Sequence, residues 1–320
     1  MEYYYTFNIL IYYIYHYIMK LVVLTFAGRE CNMRILFPLI IKYKQYIDEY
    51  RLYVATEIPS DINYIEKFAN DHDFVKVVYS KIDGNITFIK EVVWNLAYNS
   101  CQEDDTVYLK LDDDIVYFDE TLFTDFIQYR IQNRSAPILY PVIINNHFMS
   151  WFLQEKDIIQ PSIKSHIGNT WPTTYQRIRQ HILNNQKVKM RIGDFIQDHE
   201  ILCPIGWGNL HYCVELHNQF INDIQNNNIG KYYFENVVLH DCQSVSINVC
   251  SWIGEDLKKY VETYGEIYSD EAWLSVYLPT WSGNKNEIYG RSVVSHYAYY
   301  KQRELGLDHT DILERYYLLL

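Results

Sequence analysis

The sequence contains no Cys-x-x-Cys pair. Its six cysteines (Cys31, Cys101, Cys203, Cys213, Cys242 and Cys250) lack the Cys/His spacing of a structural zinc site. Scattered thiols in a chain of 320 residues suit a reducing, cytoplasmic setting better than a disulfide framework. A basic stripe is also missing: 28 Lys and Arg against 40 Asp and Glu leave a formal net charge of -12. Gripping a nucleic-acid backbone requires clustered positive charge, so nucleic acid is excluded as the main substrate. A phosphate ligand fits this acidity only where a metal ion or a few local arginines offset it. There is no GxGxxG, no Gly/Lys-rich phosphate loop, no internal repeat and no linker-like tract. What remains is an ordinary globular composition, 49% hydrophobic and 21% charged. The 32 tyrosines are read as core and rim packing.

Residues 3–18 carry no Lys, Arg, Asp or Glu. As a helix they would span ~24 Å, short of the ~30 Å hydrocarbon core, and they have no basic region of the kind that opens a signal peptide. Met19 to Phe26 reads as the first strand of an α/β enzyme. Residues 1–18 are therefore expected to be an N-terminal extension or packed helix, with membrane contact through them as the alternative. Residues 19–320 are expected to form a single domain.

From Lys20 onward, strand and helix patterns alternate. Strands are expected at Lys20 to Phe26, Leu52 to Thr56, Phe74 to Tyr79 and Val107 to Leu111. Helices are expected at Arg34 to Tyr46, at Asp61 to Asn70 behind a Ser60 cap, and at Phe88 to Ser100, with a turn at Gly84-Asn85. This alternation predicts a mostly parallel sheet with helices on both faces. A helix over Phe118 to Asn133 and a strand over Pro137 to Ile144 follow. Residues 149–228 are looser and are expected to be a variable, acceptor-side region with helices at Thr174 to Asn184 and His211 to Gln225. Ser246 to Trp252 and Val293 to Tyr300 read as strands, and Asp311 to Leu318 as a closing helix. Ser269 is expected to cap a short helix that Pro279 stops.

The informative stretch is Leu109-Lys110-Leu111-Asp112-Asp113-Asp114-Ile115-Val116-Tyr117. Three adjacent carboxylates repel one another. Bracketed by apolar runs at a strand end, they become reasonable if a divalent cation, Mn2+ or Mg2+, sits between them and a phosphate. Strand alternation would put Asp112 and Asp114 on one side and Asp113 on the other. Asp112 and Asp114 then suit a metal-bound nucleoside diphosphate. The first strand runs through Thr25 and Ala27 into Gly28-Arg29, an edge expected to take the nucleotide with Asp112 and Asp113: Gly28 would admit a ligand to the backbone and Arg29 would pair a diphosphate.

This segment resembles the DxD motif of GT-A glycosyltransferases, and in particular a family whose chains carry a KxDDDIVY-like core. Further likeness runs from Lys20 to near the C-terminus: Ala27-Gly28-Arg29, Val142 to His147, Ser246-Ile247-Asn248 with Gly254-Glu255-Asp256, Asp270-Glu271 with Pro279, and Val293 to Arg303. The resemblance implies a GT-A fold, Rossmann-like with a mostly parallel central sheet flanked by helices. It implies a metal-dependent glycosyltransferase using a nucleoside-diphosphate sugar, with UDP-sugar favoured, and an acceptor hydroxyl on a glycan or protein. It implies His296 as a metal ligand beside Asp112 and Asp114. It also supports Asp270 or Glu271 as the base that deprotonates the acceptor, with Glu255 and Asp256 as runners-up. Asn145 and His147 could touch the acceptor or the sugar, or hold a buried turn. The alternatives are a GT-A-like sugar-nucleotide binding protein without catalysis and a sugar-nucleotide nucleotidyltransferase.

Overall fold

In a computed structural model of the chain, residues 19–164, 171–184, 204–240, 243–265, 267 and 269–320 are described. The expectations for residues 1–18, and for Cys203 and Cys242, lie outside them.

The run Lys20–Ala27 (β1) is apolar almost throughout because the strand is covered on both faces, as parallel sheets require. It pairs in parallel with Glu49–Val54 (β2) on one side and Thr106–Leu111 (β6) on the other, and β2 pairs in parallel with Val75–Val78 (β3). A hairpin of Ser80–Ile82 (β4) and Asn85–Thr87 (β5) lies apart. Its turn is Asp83-Gly84, both at positive φ, a two-residue hairpin turn that places Asn85 already in the strand. Helices Glu30–Lys42, Pro59–Asn70 and Lys90–Ser100 connect the parallel strands. Pro59 takes the first position of its helix, so the cap falls on Ile58 and not on Ser60.

Beyond β6 the sheet continues with Val249–Ile253 (β10), Leu139–Ile144 (β8), Glu287–His296 (β11) and Ile115–Phe118 (β7). The order is β3-β2-β1-β6-β10-β8-β11-β7, with Val237–Val238 (β9) added on β11. The architecture is the α/β type expected, a large sheet flanked by helices. Its four consecutive parallel strands (β3, β2, β1 and β6) are joined to a mixed half in which β10 runs antiparallel to both neighbours and β8 and β11 are parallel.

Three further expectations are corrected. Phe118 ends strand β7, and the helical segment starts only at Leu122. His147–Glu155 is helical, begun by Asn146, whose side chain accepts the Phe148 and Met149 N–H groups at 3.2 Å each. Pro279 does not stop a helix: the segment from Asp270 runs on to Ser282, and a widened turn at Trp273–Tyr277 precedes the proline, which brings no N–H to the ladder. Among the described residues no helix is long and apolar enough to cross a membrane.

The register fixes where chemistry can occur. Leu111 pairs with Val249, and Ile144 with Ser295. The carboxyl ends of β6, β8 and β11 therefore lie along one sheet edge, together with the start of the reversed strand β10. Ligands in open α/β sheets sit at that edge.

Candidate active site

Asp112, Asp113 and Asp114 form the turn that leaves β6, closed by the Ile115 N–H donating to the Asp112 carbonyl at 3.2 Å. A ligand oxygen of Asp112, one of Asp114 and a ring nitrogen of His296 lie within 4.8 Å of one another. Asp112 and Asp114 thus converge through a turn and not through strand pleating. His296 closes β11, where the register against β7 shifts between Ser295 and His296, an irregularity that re-aims the last side chain.

The two oxygens of Asp114 differ. Oδ2 meets Arg29 Nη2 at 3.0 Å and Arg303 Nη2 at 3.3 Å. Oδ1 is buried, accepts no hydrogen bond and faces His296 Nε2 at 3.5 Å. Meanwhile His296 Nδ1 lies 3.2 Å from the Asn145 carbonyl, which can only accept, so Nδ1 carries the proton. The other ring nitrogen, Nε2, then faces a carboxylate oxygen that accepts no hydrogen bond. A cation between them resolves that arrangement, and neighbouring ligands of a six-coordinate ion at ~2.1 Å stand ~3 Å apart. Burial works to raise the Asp114 carboxyl, but Arg29, His296 and Arg303 outweigh it and hold it well below the usual carboxylate range. Two carboxylates and one imidazole form a donor set that fits Mn2+ or Mg2+.

Asp113 points the other way. Arg29 Nε lies 3.0 Å from its Oδ1, Arg29 Nη2 closes the fork, and the Gly28 N–H donates to Oδ2 at 3.1 Å. A Cβ on Gly28 would lie 3.3 Å from the Ala55 carbonyl oxygen and 3.4 Å from Thr56 Cβ. The glycine therefore admits the neighbouring strand end, not a ligand. Thr25 and Ala27 are fully buried. Thr25 Oγ1 accepts the Tyr50 hydroxyl at 3.0 Å, so the part of the expected nucleotide edge at the surface is Gly28-Arg29.

The acid pair sits next to this turn. Asp270 Oδ1 accepts the Glu271 N–H at 2.8 Å, and Oδ2 accepts the Tyr98 hydroxyl at 3.3 Å. Burial pushes Asp270 upward, opposed by the Lys110 ammonium. Glu271 is pushed up to about 7 by burial and by Asp270. One segment ties the pair to the Asp112–Asp114–His296 cluster: Ser246 Oγ donates to Glu271 Oε1 at 3.3 Å, Lys110 Nζ donates to the Ile247 carbonyl at 2.6 Å, and Asn248 Nδ2 donates to Asp112 Oδ2 at 3.2 Å.

The runners-up Glu255 and Asp256 are not part of the site. Strand β10 is reversed, so its far end, where they follow Ile253, lies at the opposite sheet edge beside Val107. There Arg134 holds both, at 2.9 and 3.1 Å. Asn145 and His147 lie at the site edge but are buried. Asn145, at φ 59°, donates to the Tyr297 carbonyl at 2.8 Å and exchanges hydrogen bonds with the Gln302 amide at 3.0 and 2.9 Å.

Sequence reasoning gave no role to Lys110, Ser246, Asn248, Tyr299 or Arg303. Lys110 is buried; burial alone would lower it, yet Asp112 and Asp270 hold it charged. A lysine inside an otherwise apolar strand two residues before an acidic cluster was the available signal. The contacts of Ser246 and Asn248 follow from the reversed strand β10 lying beside β6, and those of Tyr299 and Arg303 from the C-terminal segment that follows β11.

No protein-family profile and no curated protein matches the chain. Among solved structures it is similar to 4-diphosphocytidyl-2C-methyl-D-erythritol synthase from Anaerococcus prevotii DSM 20548, at 12% identity and TM-score 0.40, covering 94% of this chain and 98% of that one. It is also similar to CMP:2-keto-3-deoxy-manno-octonic acid synthetase complexed with CTP, at 9% identity and TM-score 0.37, covering 87% and 90%.

Proposed function

We propose that the chain is a metal-dependent glycosyltransferase of GT-A type, moving a sugar from a nucleoside-diphosphate donor to an acceptor hydroxyl. The observation that carries this reading is the convergence of Asp112, Asp114 and His296 within 4.8 Å at the carboxyl edge of the sheet, around an Asp114 oxygen that accepts no hydrogen bond. A Mn2+ or Mg2+ ion held there would neutralise the diphosphate as it leaves. Arg29, whose side chain is 42% exposed, presents its guanidinium at the same edge and suits the diphosphate.

Glu271 suits the acceptor base better than Asp270. Both Asp270 oxygens already accept hydrogen bonds, from Glu271 N–H and Tyr98. Glu271 is only half-buried and is poised at about 7, where a base both binds and releases a proton near neutral pH. A base in this place is the inverting arrangement, which the anomeric configuration of the product checks by NMR.

The test is transfer or hydrolysis of UDP-, GDP- and CMP-sugars with and without Mn2+. Turnover of a UDP-sugar that is lost in excess EDTA is expected. Pyrophosphate release from a nucleoside triphosphate and a sugar phosphate would replace this reading with a nucleotidyltransferase. Nucleotide-sugar binding without turnover would replace it with a non-catalytic binding protein.

A further inference from the structure

His147 is a buried titratable group that the proposed reaction does not use, and it stands directly behind Ser246, whose hydroxyl donates to the Glu271 carboxylate. Ser246 Oγ lies 3.3 Å from Glu271 Oε1 and 3.1 Å from His147 Nδ1. The Tyr299 hydroxyl closes the group, 3.4 Å from His147 Nδ1 and accepting the backbone N–H of His147 at 3.2 Å. Ser246 and His147 are buried. Burial holds His147 at about 4, so the ring is neutral, and the ring also hydrogen-bonds the Ser244 carbonyl. A carbonyl takes a ring N–H, and a neutral ring offers its other nitrogen as an acceptor.

We propose that Ser246 is the positioning residue for Glu271, with His147 and Tyr299 forming a backstop toward which its hydroxyl can turn. This rests on Glu271 being the base of the proposed transfer. While Glu271 is ionised, the Ser246 O–H donates to Oε1 and the Tyr299 O–H turns to His147 Nδ1. The acceptor oxygen then bonds the anomeric carbon, the bond from that carbon to the diphosphate oxygen breaks with its electron pair leaving on the diphosphate, and the acceptor proton passes to Glu271. The new carboxylic acid donates to Ser246 Oγ, whose hydrogen turns to His147 Nδ1, while Tyr299, which also pairs with Ser246, turns to Oγ. The carboxyl finds a partner in both protonation states, so neither state leaves a polar group unpaired. The charged or titratable groups that also act on Glu271 are Asp270 beside it and Lys110 and Asp112 from β6 and its turn. Tyr140 from β8 and Tyr299 from the C-terminal segment face it as well.

The test compares Ser246→Ala and Ser246→Thr. The hydroxyl favours the ionised form of Glu271. The alanine variant is therefore expected to bind UDP with Mn2+ as the parent does, to lose about tenfold in kcat at unchanged KM, and to move the acid limb of kcat up by about one pH unit. Threonine restores both. Infrared difference titration of the Glu271 carboxyl band, assigned by its loss in Glu271→Gln, reads the same midpoint without turnover. An unchanged midpoint in Ser246→Ala, or a threonine variant that behaves like alanine, overturns the proposal. If the alanine variant does not fold, Ser246→Cys, a weaker donor of similar size, takes its place with the same expected shift. Absence of sugar transfer by the parent would instead overturn the glycosyltransferase reading, while the infrared midpoint still reports on the Ser246–Glu271 link.

Discussion

His296 Nδ1 lies 3.2 Å from the backbone carbonyl of Asn145, and that contact decides which ring nitrogen His296 turns toward Asp114. Asn145 also ties down the C-terminal segment through Tyr297 and Gln302. Its positive φ is one that Asn and Gly tolerate and Ala does not. Asn145→Ala is expected to destabilise the protein by about 1–3 kcal/mol and to weaken Mn2+ binding about tenfold or more. Calorimetric titration with Mn2+ measures this, and Gln302→Ala should reproduce the affinity loss with the backbone strain absent. Parent-like Mn2+ affinity in both variants would remove Asn145 from the proposed metal site.

Asp114→Asn removes the oxygen that faces His296 and one of the two acids that Arg29 pairs. The Mn2+-dependent rise in melting temperature should vanish, and transfer should fall by about a hundredfold or more. A melting scan with and without Mn2+ is the direct measurement. A full metal-induced shift in the variant would mean that the ion binds elsewhere.

Glu271 couples activity and stability in opposite directions. Its carboxyl sits at about 7 against an ordinary 4.5. The folded chain therefore holds a proton that the unfolded chain has released, and this stabilisation is lost as pH climbs from about 4.5 to 7. Glu271→Gln is expected to melt a few degrees higher than the parent at pH 8 and to transfer no sugar. In the parent, kcat should drop on the acid side of pH 7 as the base protonates. A glutamine variant that retains transfer would show that the base is another group.

His147 and His217 are both held neutral, at about 4, by burial. His217 is fixed between the Tyr316 hydroxyl at 2.9 Å and the Tyr297 carbonyl at 2.8 Å. Their pKa values are lowered on folding, so the unfolded chain binds the extra protons. Their contribution to stability should then be complete above about 6.5 and decline toward 4, and two histidines outweigh the single opposing Glu271, so the net stability falls over this range. Chemical denaturation at pH 7.5, 6 and 5 checks this. His217→Gln should flatten part of the decline, and an identical pH slope in that variant would contradict it.

The sheet-forming runs, their alternation with helices and the acid cluster are legible along the chain alone. Apolar strands covered on both faces and three adjacent carboxylates are local features, readable from neighbours along the chain. Those features and the resemblance point to Asp112, Asp114 and His296. Whatever depends on contacts between distant segments emerges only on folding. The reversal of β10 carried Glu255 and Asp256 to the far edge and Ser246 to the near one. Chain packing gave Gly28 to Ala55 and Thr56, and Thr25 to Tyr50. The Asn145–Gln302 pair, 157 positions apart, brought Arg303 onto Asp114. No local pattern encodes such meetings, because they follow from strand order and register. The acid turn that first marked the site is thus defined as much by residues 145, 246–248 and 296–303 as by its own three aspartates.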